Sequence, residues 1–124
     1  MVIVIDQMSQ TPIYQQIRDQ IVKGIAVRDL RPGDALPSVR ALAQDLGINL
    51  HTVNKAYATL RDEGYVLMLG RKGAFVADAA AEPTAGMDEH ELEGHLKRLL
   101  TEFVASGGTA EDFVRAAQRT AERA

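Results

Sequence analysis

The feature that most constrains this 124-residue chain is the stretch Ser38 to Gly64, in which two helical patterns stand almost end to end. Ser38 follows Pro37 and is placed to cap a helix whose apolar side is Val39, Leu42, Ala43 and Leu46. Gly47 stops that helix after barely three turns. Asn49 caps the next one, which carries Val53, Ala56, Tyr57 and Leu60 on one face and has Gly64 just past its end. Tyr57 reads as a core residue whose hydroxyl reaches the surface. Two short helices joined by a tight glycine turn are the sequence form of a helix-turn-helix.

The flanks extend this unit. Thr11-Pro12 reads as a helix start, with a capping hydroxyl and a proline in the first helical position, where its missing N–H costs nothing. Ile13, Ile17, Ile21 and Ile25 recur every four residues, so that helix has one apolar face and is expected to end near Asp29. Leu30 to Pro37, with two prolines and a glycine, reads as a turn with a short extended piece. Tyr65 to Leu69 and Ala74 to Val76 are short apolar runs around Gly70-Arg71-Lys72-Gly73, the pattern of a hairpin with a basic tip. Residues 79–86 read as a linker. Beyond it, Asp88 and Glu91 start a helix with a stripe of Leu92, Leu96, Leu99, Leu100, Phe103 and Val104, closed by Ser106-Gly107-Gly108. Thr109 and Asp112 open a last helix with Phe113, Val114, Ala117 and Ala121 on one side. The fold class expected is mainly α with a small β wing: a winged helix-turn-helix in residues 1–78 followed by a two-helix dimerisation tail in 87–124.

Composition narrows the function. The formal net charge is -3, yet residues 1–78 hold 9 Lys/Arg against 8 Asp/Glu while 79–124 hold 5 against 9, so the acidity sits in the tail. Between Ser38 and Val76 the balance is 5 against 3, a local basic footprint compatible with nucleic acid. The absence of cysteine removes disulfides, thiolate zinc sites and thiol nucleophiles, and fits a cytoplasmic location. No apolar run approaches the roughly 20 residues of a membrane span. A constellation of nucleophile, base and oxyanion donors is missing, as is a cofactor loop, so neither an enzyme nor a cofactor is expected. His90 and His95 evoke a zinc helix but stand five apart, about 140° around the axis, so they cannot grip one ion together.

Thr11-Pro12-Ile13-Tyr14-Gln15-Gln16-Ile17, Leu36-Pro37-Ser38-Val39-Arg40-Ala41-Leu42-Ala43, Thr52-Val53-Asn54-Lys55-Ala56-Tyr57, then Leu60, Glu63-Gly64-Tyr65 and Gly73-Ala74-Phe75-Val76 form an ordered set. Over about Ile5 to Val76 this set resembles the GntR family of transcription regulators, in particular its short YtrA-like branch. The resemblance implies a homodimer that binds a near-palindromic double-stranded DNA operator, often to repress a transporter or stress operon. It also implies that the tail serves mainly to dimerise, through Leu92, Leu96, Leu99, Leu100, Phe103 and Phe113. A small-molecule effector between the tail and the first domain stays open.

The expected DNA face follows from both sources. His51, Thr52, Asn54 and Lys55 lie at the start of the third helix, away from its Val53 and Tyr57 side, where a recognition helix meets base edges. Asn54 is the best base reader, because its amide matches N6 and N7 of adenine. Lys55 fits a phosphate and His51 either partner. Asn49 and Thr52 stand where backbone amides face phosphate, although Asn49 is read equally well as a cap alone. Ser38 lies in the matched string at the start of the second helix, and the resemblance alone places Arg40 against DNA. Arg71 and Lys72, with Gly73 allowing close approach, are expected on phosphate or in the minor groove. Met68-Leu69 depart from the family pattern, which implies a weaker wing; Leu50 is a second departure, where relatives often carry proline or arginine, and it leaves the base preference open. The alternative is a protein-interaction module built on the same scaffold, favoured by the near-neutral first domain.

Overall fold

The computed structural model describes residues 2–78 and 87–124, so the linker expected at 79–86 lies outside the described residues. Those residues divide into two compact units, the first ending before Met87 and the second spanning Met87–Ala124. The order of elements in the first unit is α1 (Ile13–Ala26), α2 (Val39–Leu46), α3 (Leu50–Asp62), β1 (Val66–Met68) and β2 (Ala74–Val76). The second unit holds α4 (Glu89–Ala105) and α5 (Ala110–Arg123). Among the described residues the protein is thus mainly helical, with a two-stranded antiparallel hairpin.

The caps form largely where local chemistry puts them. Ser38 Oγ accepts from Ala41 N at 3.0 Å, Asn49 Oδ1 from His51 N at 2.7 Å, Asp88 Oδ1 from Glu91 N at 2.8 Å and Thr109 Oγ1 from Asp112 N at 3.1 Å. Each satisfies a backbone donor that the first helical turn leaves without an intrahelical partner. Gly47 takes φ 66° and ψ 34°, the left-handed geometry that ends α2 and swings the chain into α3 within two residues.

Two expectations at α1 are corrected. Pro12, at φ -54° and ψ 146°, is itself the residue before the helix, and no side chain caps that end. The Thr11 carbonyl instead accepts from Gln16 Nε2 at 2.8 Å. At the other end α1 stops at Ala26, short of Asp29, because Arg28 adopts φ 66° and reverses the chain. Leu30 N then reaches back to Gly24 O at 3.0 Å, and the Leu30 side chain covers Gly24, where a β-carbon would lie 3.0 Å from Cδ1.

The core lies between α1, α2, α3 and the hairpin. Ile17, Ile21, Val53, Ala56, Tyr57 and Leu60 are fully buried, with Val66 and Val76 at their hairpin end. Truncating any of the large aliphatics to alanine costs ~2–5 kcal/mol, a large share of the stability of a domain this size. The hairpin pairs Val66 with Val76, Leu67 with Phe75 and Met68 with Ala74. Ala35 bridges to Phe75, and Leu36 N donates to Ala74 O at 2.9 Å, so the extended piece before α2 lies along β2 and ties the hairpin to the helices. An N-terminal segment lies against α1, with Ile3 buried and Val4 exposed.

The tail unit is a pair of helices joined through Gly107 and Gly108, with the Phe103 and Phe113 rings 6.3 Å apart. Leu96, Leu100 and Phe113 are half-buried. Leu92, Leu99, Phe103 and Val104 stay exposed, at 44%, 49%, 39% and 48%. No helix among the described residues is long and apolar enough to cross a membrane.

Candidate nucleic-acid interface

The start of α3 is built by opposing demands on one helix. Val53, Ala56, Tyr57 and Leu60 are buried, which leaves His51, Asn54 and Lys55 exposed and Thr52 half-buried on the remaining face. Asn49, His51, Thr52 and Lys55 line a shallow cleft together with Pro12, Ile13 and Tyr14 from the beginning of α1. Asn54 is exposed beside them in sequence but does not line that cleft.

The roles of the two cap residues are partly fixed by the cap bonds. Ser38 Oγ and Asn49 Oδ1 are engaged on the backbone of α2 and α3, so each holds a helix N-terminus in place and presents that end, with its partial positive charge, to solvent. Arg40 is exposed in the first turn of α2. At the hairpin, Gly70–Lys72 forms a single 3-10 turn, tighter than an open loop, and it leaves Arg71 and Lys72 exposed at its tip. Gly73 follows at φ 100° and ψ -160°, a conformation that L side chains rarely adopt.

Tyr57 corrects one expectation. It is fully buried, and its hydroxyl donates to the Pro37 carbonyl at 2.7 Å rather than reaching the surface. The bond ties α3 to the residue ahead of the α2 cap, fixing the angle between the two helices. Burial pushes the phenol up to about 12.

Three features of the first unit, one of them at this cleft, carry no local sequence signal. Lys55 Nζ sits 4.1 Å from the centroid of the Tyr14 ring. Arg18 grips Glu63 with two bonds, Nε to Oε1 at 2.8 Å and NH2 to Oε2 at 2.9 Å, and lies 5.6 Å from the Tyr65 ring centroid. Hydrogen bonding to Glu63 holds the Arg18 guanidinium above its ordinary value, with burial acting in the opposite direction. The third is the pair Gln16 and Gln20, which fasten the N-terminal segment to α1. Tyr14 lies inside the matched Thr11 to Ile17 string, so only its chemistry went unread; the Arg18 and Glu63 pair is 45 residues apart and follows no pattern a single sequence displays.

On the tail, His95 Nδ1 lies 3.3 Å from an Arg98 nitrogen. Among the described residues no group of three or more His, Asp or Glu side chains converges to hold a metal ion.

Comparison with known proteins places this geometry among regulators. Residues 12–76 match the family described as bacterial regulatory proteins, gntR family. The chain is 37% identical over 107 residues to the HTH-type transcriptional repressor YtrA of Bacillus subtilis (strain 168), a match covering 83% of this chain and 79% of that protein. Among solved structures, YtrA from Sulfolobus acidocaldarius, a GntR-family transcription factor, is 42% identical with a TM-score of 0.67, over 82% of this chain and 99% of that one. A transcriptional antiterminator from Listeria monocytogenes EGD-e is 27% identical with a TM-score of 0.84, over 98% and 90%. AraR(DBD) in complex with operator ORX1 is 28% identical with a TM-score of 0.54, over 60% and 92%.

Proposed function

Because the chain belongs to the gntR family of bacterial regulatory proteins, we propose that it is a homodimeric repressor that binds a palindromic operator and controls a transporter or stress operon. The named relatives are regulators and repressors of transcription, not enzymes. The observation that carries the DNA reading is the exposed start of α3, where His51, Asn54 and Lys55 stand clear of a buried Val53, Ala56, Tyr57 and Leu60. That is the shape of a recognition helix, which must offer polar side chains at its N-terminal end while its other face stays in the core.

In this reading Asn54 reads a base edge in the major groove, Lys55 holds a phosphate and His51 meets either. Asn49 and Thr52 orient the α3 N-terminus toward a phosphate. Ser38 and Arg40 approach the backbone from α2, and Arg71, Lys72 and Gly73 do so from the wing. Residues 1–78 form the DNA-binding domain and 87–124 the pairing tail. The exposed Leu92, Leu99 and Phe103 stripe, continued by Leu96, Leu100 and Phe113, is apolar surface that a second copy would cover. Pairing would set two recognition helices about 34 Å apart, one turn of DNA.

The test is selection of genomic fragments by the purified protein, followed by titration of the recovered site at two salt concentrations. An inverted repeat bound by two protomers is the expected result. Weak, sequence-blind and strongly salt-sensitive binding would instead turn attention to a protein partner.

A further inference from the structure

We propose that Tyr14 is a positioning residue for DNA binding: its ring holds the Lys55 ammonium at the start of α3 in the place where Lys55 meets a phosphate. The inference rests on the DNA-binding reading above and adds α1 to the elements that build the interface.

A lysine carries its charge on four rotatable carbons, and fixing that stem on a ligand loses rotamer freedom at the moment of binding. Lys55 is exposed on α3, yet its Nζ lies 4.1 Å from the centroid of the Tyr14 ring. An aromatic face at that distance attracts a cation through its quadrupole and leaves ammonium protons free to donate outward. The ammonium is therefore pre-placed beside the ring of a residue that lines, with Lys55 itself, the same cleft as Asn49, His51 and Thr52.

The ring is itself held. Tyr14 is the second residue of α1 and packs, half-buried, against the core. One turn further along, Arg18 grips Glu63 just past α3 through two bonds. A two-point bond of this kind fixes rotation of α1 relative to α3 as well as distance. The contact uses the ring face and not the hydroxyl, so phenylalanine at 14 serves equally well and an aliphatic side chain does not.

The experiment is NMR of the free protein together with titration of the selected operator fragment, using Tyr14→Phe, Tyr14→Leu, Lys55→Met and the Tyr14→Leu/Lys55→Met double variant. Expected are ring-current-shifted Lys55 Hε signals in the parent and in Tyr14→Phe, ordinary ones in Tyr14→Leu, and a loss of affinity of about two- to five-fold in Tyr14→Leu. In the Lys55→Met background Tyr14→Leu should cost nothing further, since there is no ammonium left to place. Unshifted Lys55 signals in the parent, a Tyr14→Leu cost that persists without Lys55, or a Tyr14→Phe cost as large as that of Tyr14→Leu each overturn the proposal. If the shift is present but no fragment is bound selectively, the DNA reading is what fails. If binding is selective but the shift is absent, the role of Tyr14 fails alone.

Discussion

The Gln20 side-chain amide holds both backbone groups of Val4: Oε1 accepts from Val4 N at 2.9 Å and Nε2 donates to Val4 O at 2.7 Å. One turn earlier, Gln16 does the same for Asp6, with both bonds at 2.9 Å. A carboxamide carries the donor and acceptor pair that a neighbouring strand residue would offer, so α1 binds an extended segment as if it were a sheet edge. Gln20→Leu removes one such clamp. Two exposed bonds of ordinary net strength are worth about 1–2 kcal/mol, so amide exchange at Val4 should quicken by on the order of ten-fold while α3 exchanges unchanged. Unaltered Val4 protection would mean that burial of Ile3 alone retains the segment.

Tyr57→Phe tests the tie between α3 and the approach to α2. The variant keeps the ring and leaves the Pro37 carbonyl without its 2.7 Å donor, at a cost of about 1–3 kcal/mol in denaturant titrations near neutral pH. The pH dependence has a definite sign. The phenol is pushed from its ordinary 10 to about 12, so above pH 10 the unfolded chain gives up this proton before the folded one does. Its contribution is complete below pH 10 and declines as pH rises from 10 to 12. The difference in stability between parent and variant should therefore narrow over that interval. A constant difference would place the hydroxyl outside the burial it has here.

Leu99→Lys probes the tail. Leu99 is 49% exposed within a single chain, so a lysine there leaves α4 intact while placing a charge on the stripe proposed to pair. Desolvating that charge against a second copy is costly, and a rise of at least about ten-fold in the dimer dissociation constant is expected by sedimentation. Operator affinity should fall with it, because two half-sites would no longer be held together. An unchanged dimer would move the pairing surface elsewhere.

What the sequence disclosed about this protein follows from range. Ser38, Asn49, Asp88 and Thr109 act on backbone two or three residues away, and Gly47 acts on its own dihedral angles, so their roles are visible in a short window. The isoleucine and α3 periodicities likewise reveal which faces are buried. What it left unread lies mostly where a partner is distant in sequence or where the backbone does something rare; the uncapped start of α1, where Pro12 stands ahead of the helix and Gln16 takes the Thr11 carbonyl, is a local exception. Tyr57 finds Pro37 across 20 residues, Arg18 finds Glu63 across 45, and α1 ends early because Arg28 enters a region that non-glycine residues seldom visit. The same rule applies to the interface: exposure of Asn54 follows from the period of α3, whereas the seat of Lys55 on Tyr14 requires the packing of two helices.

That difference in what surrounds Asn54, Lys55 and Arg71 leads to distinct effects for their alanine variants. Asn54 is exposed near the start of α3, outside the cleft that contains Lys55, and an amide there can satisfy one base edge and not another. Asn54→Ala should therefore cost about 1–3 kcal/mol on the selected operator and much less on altered ones, so that preference at one base pair relaxes. Lys55 and Arg71 contribute charge at the α3 start and at the wing tip, and every sequence offers the same phosphates. Lys55→Ala and Arg71→Ala should weaken binding evenly across operators and reduce the slope of log affinity against log salt by roughly one each. Titrations of the three variants on matched and mismatched sites at several salt concentrations separate these outcomes. If all three relax sequence preference equally, charge at positions 55 and 71 would be reading bases, and the assignment of Asn54 as the reader would be wrong.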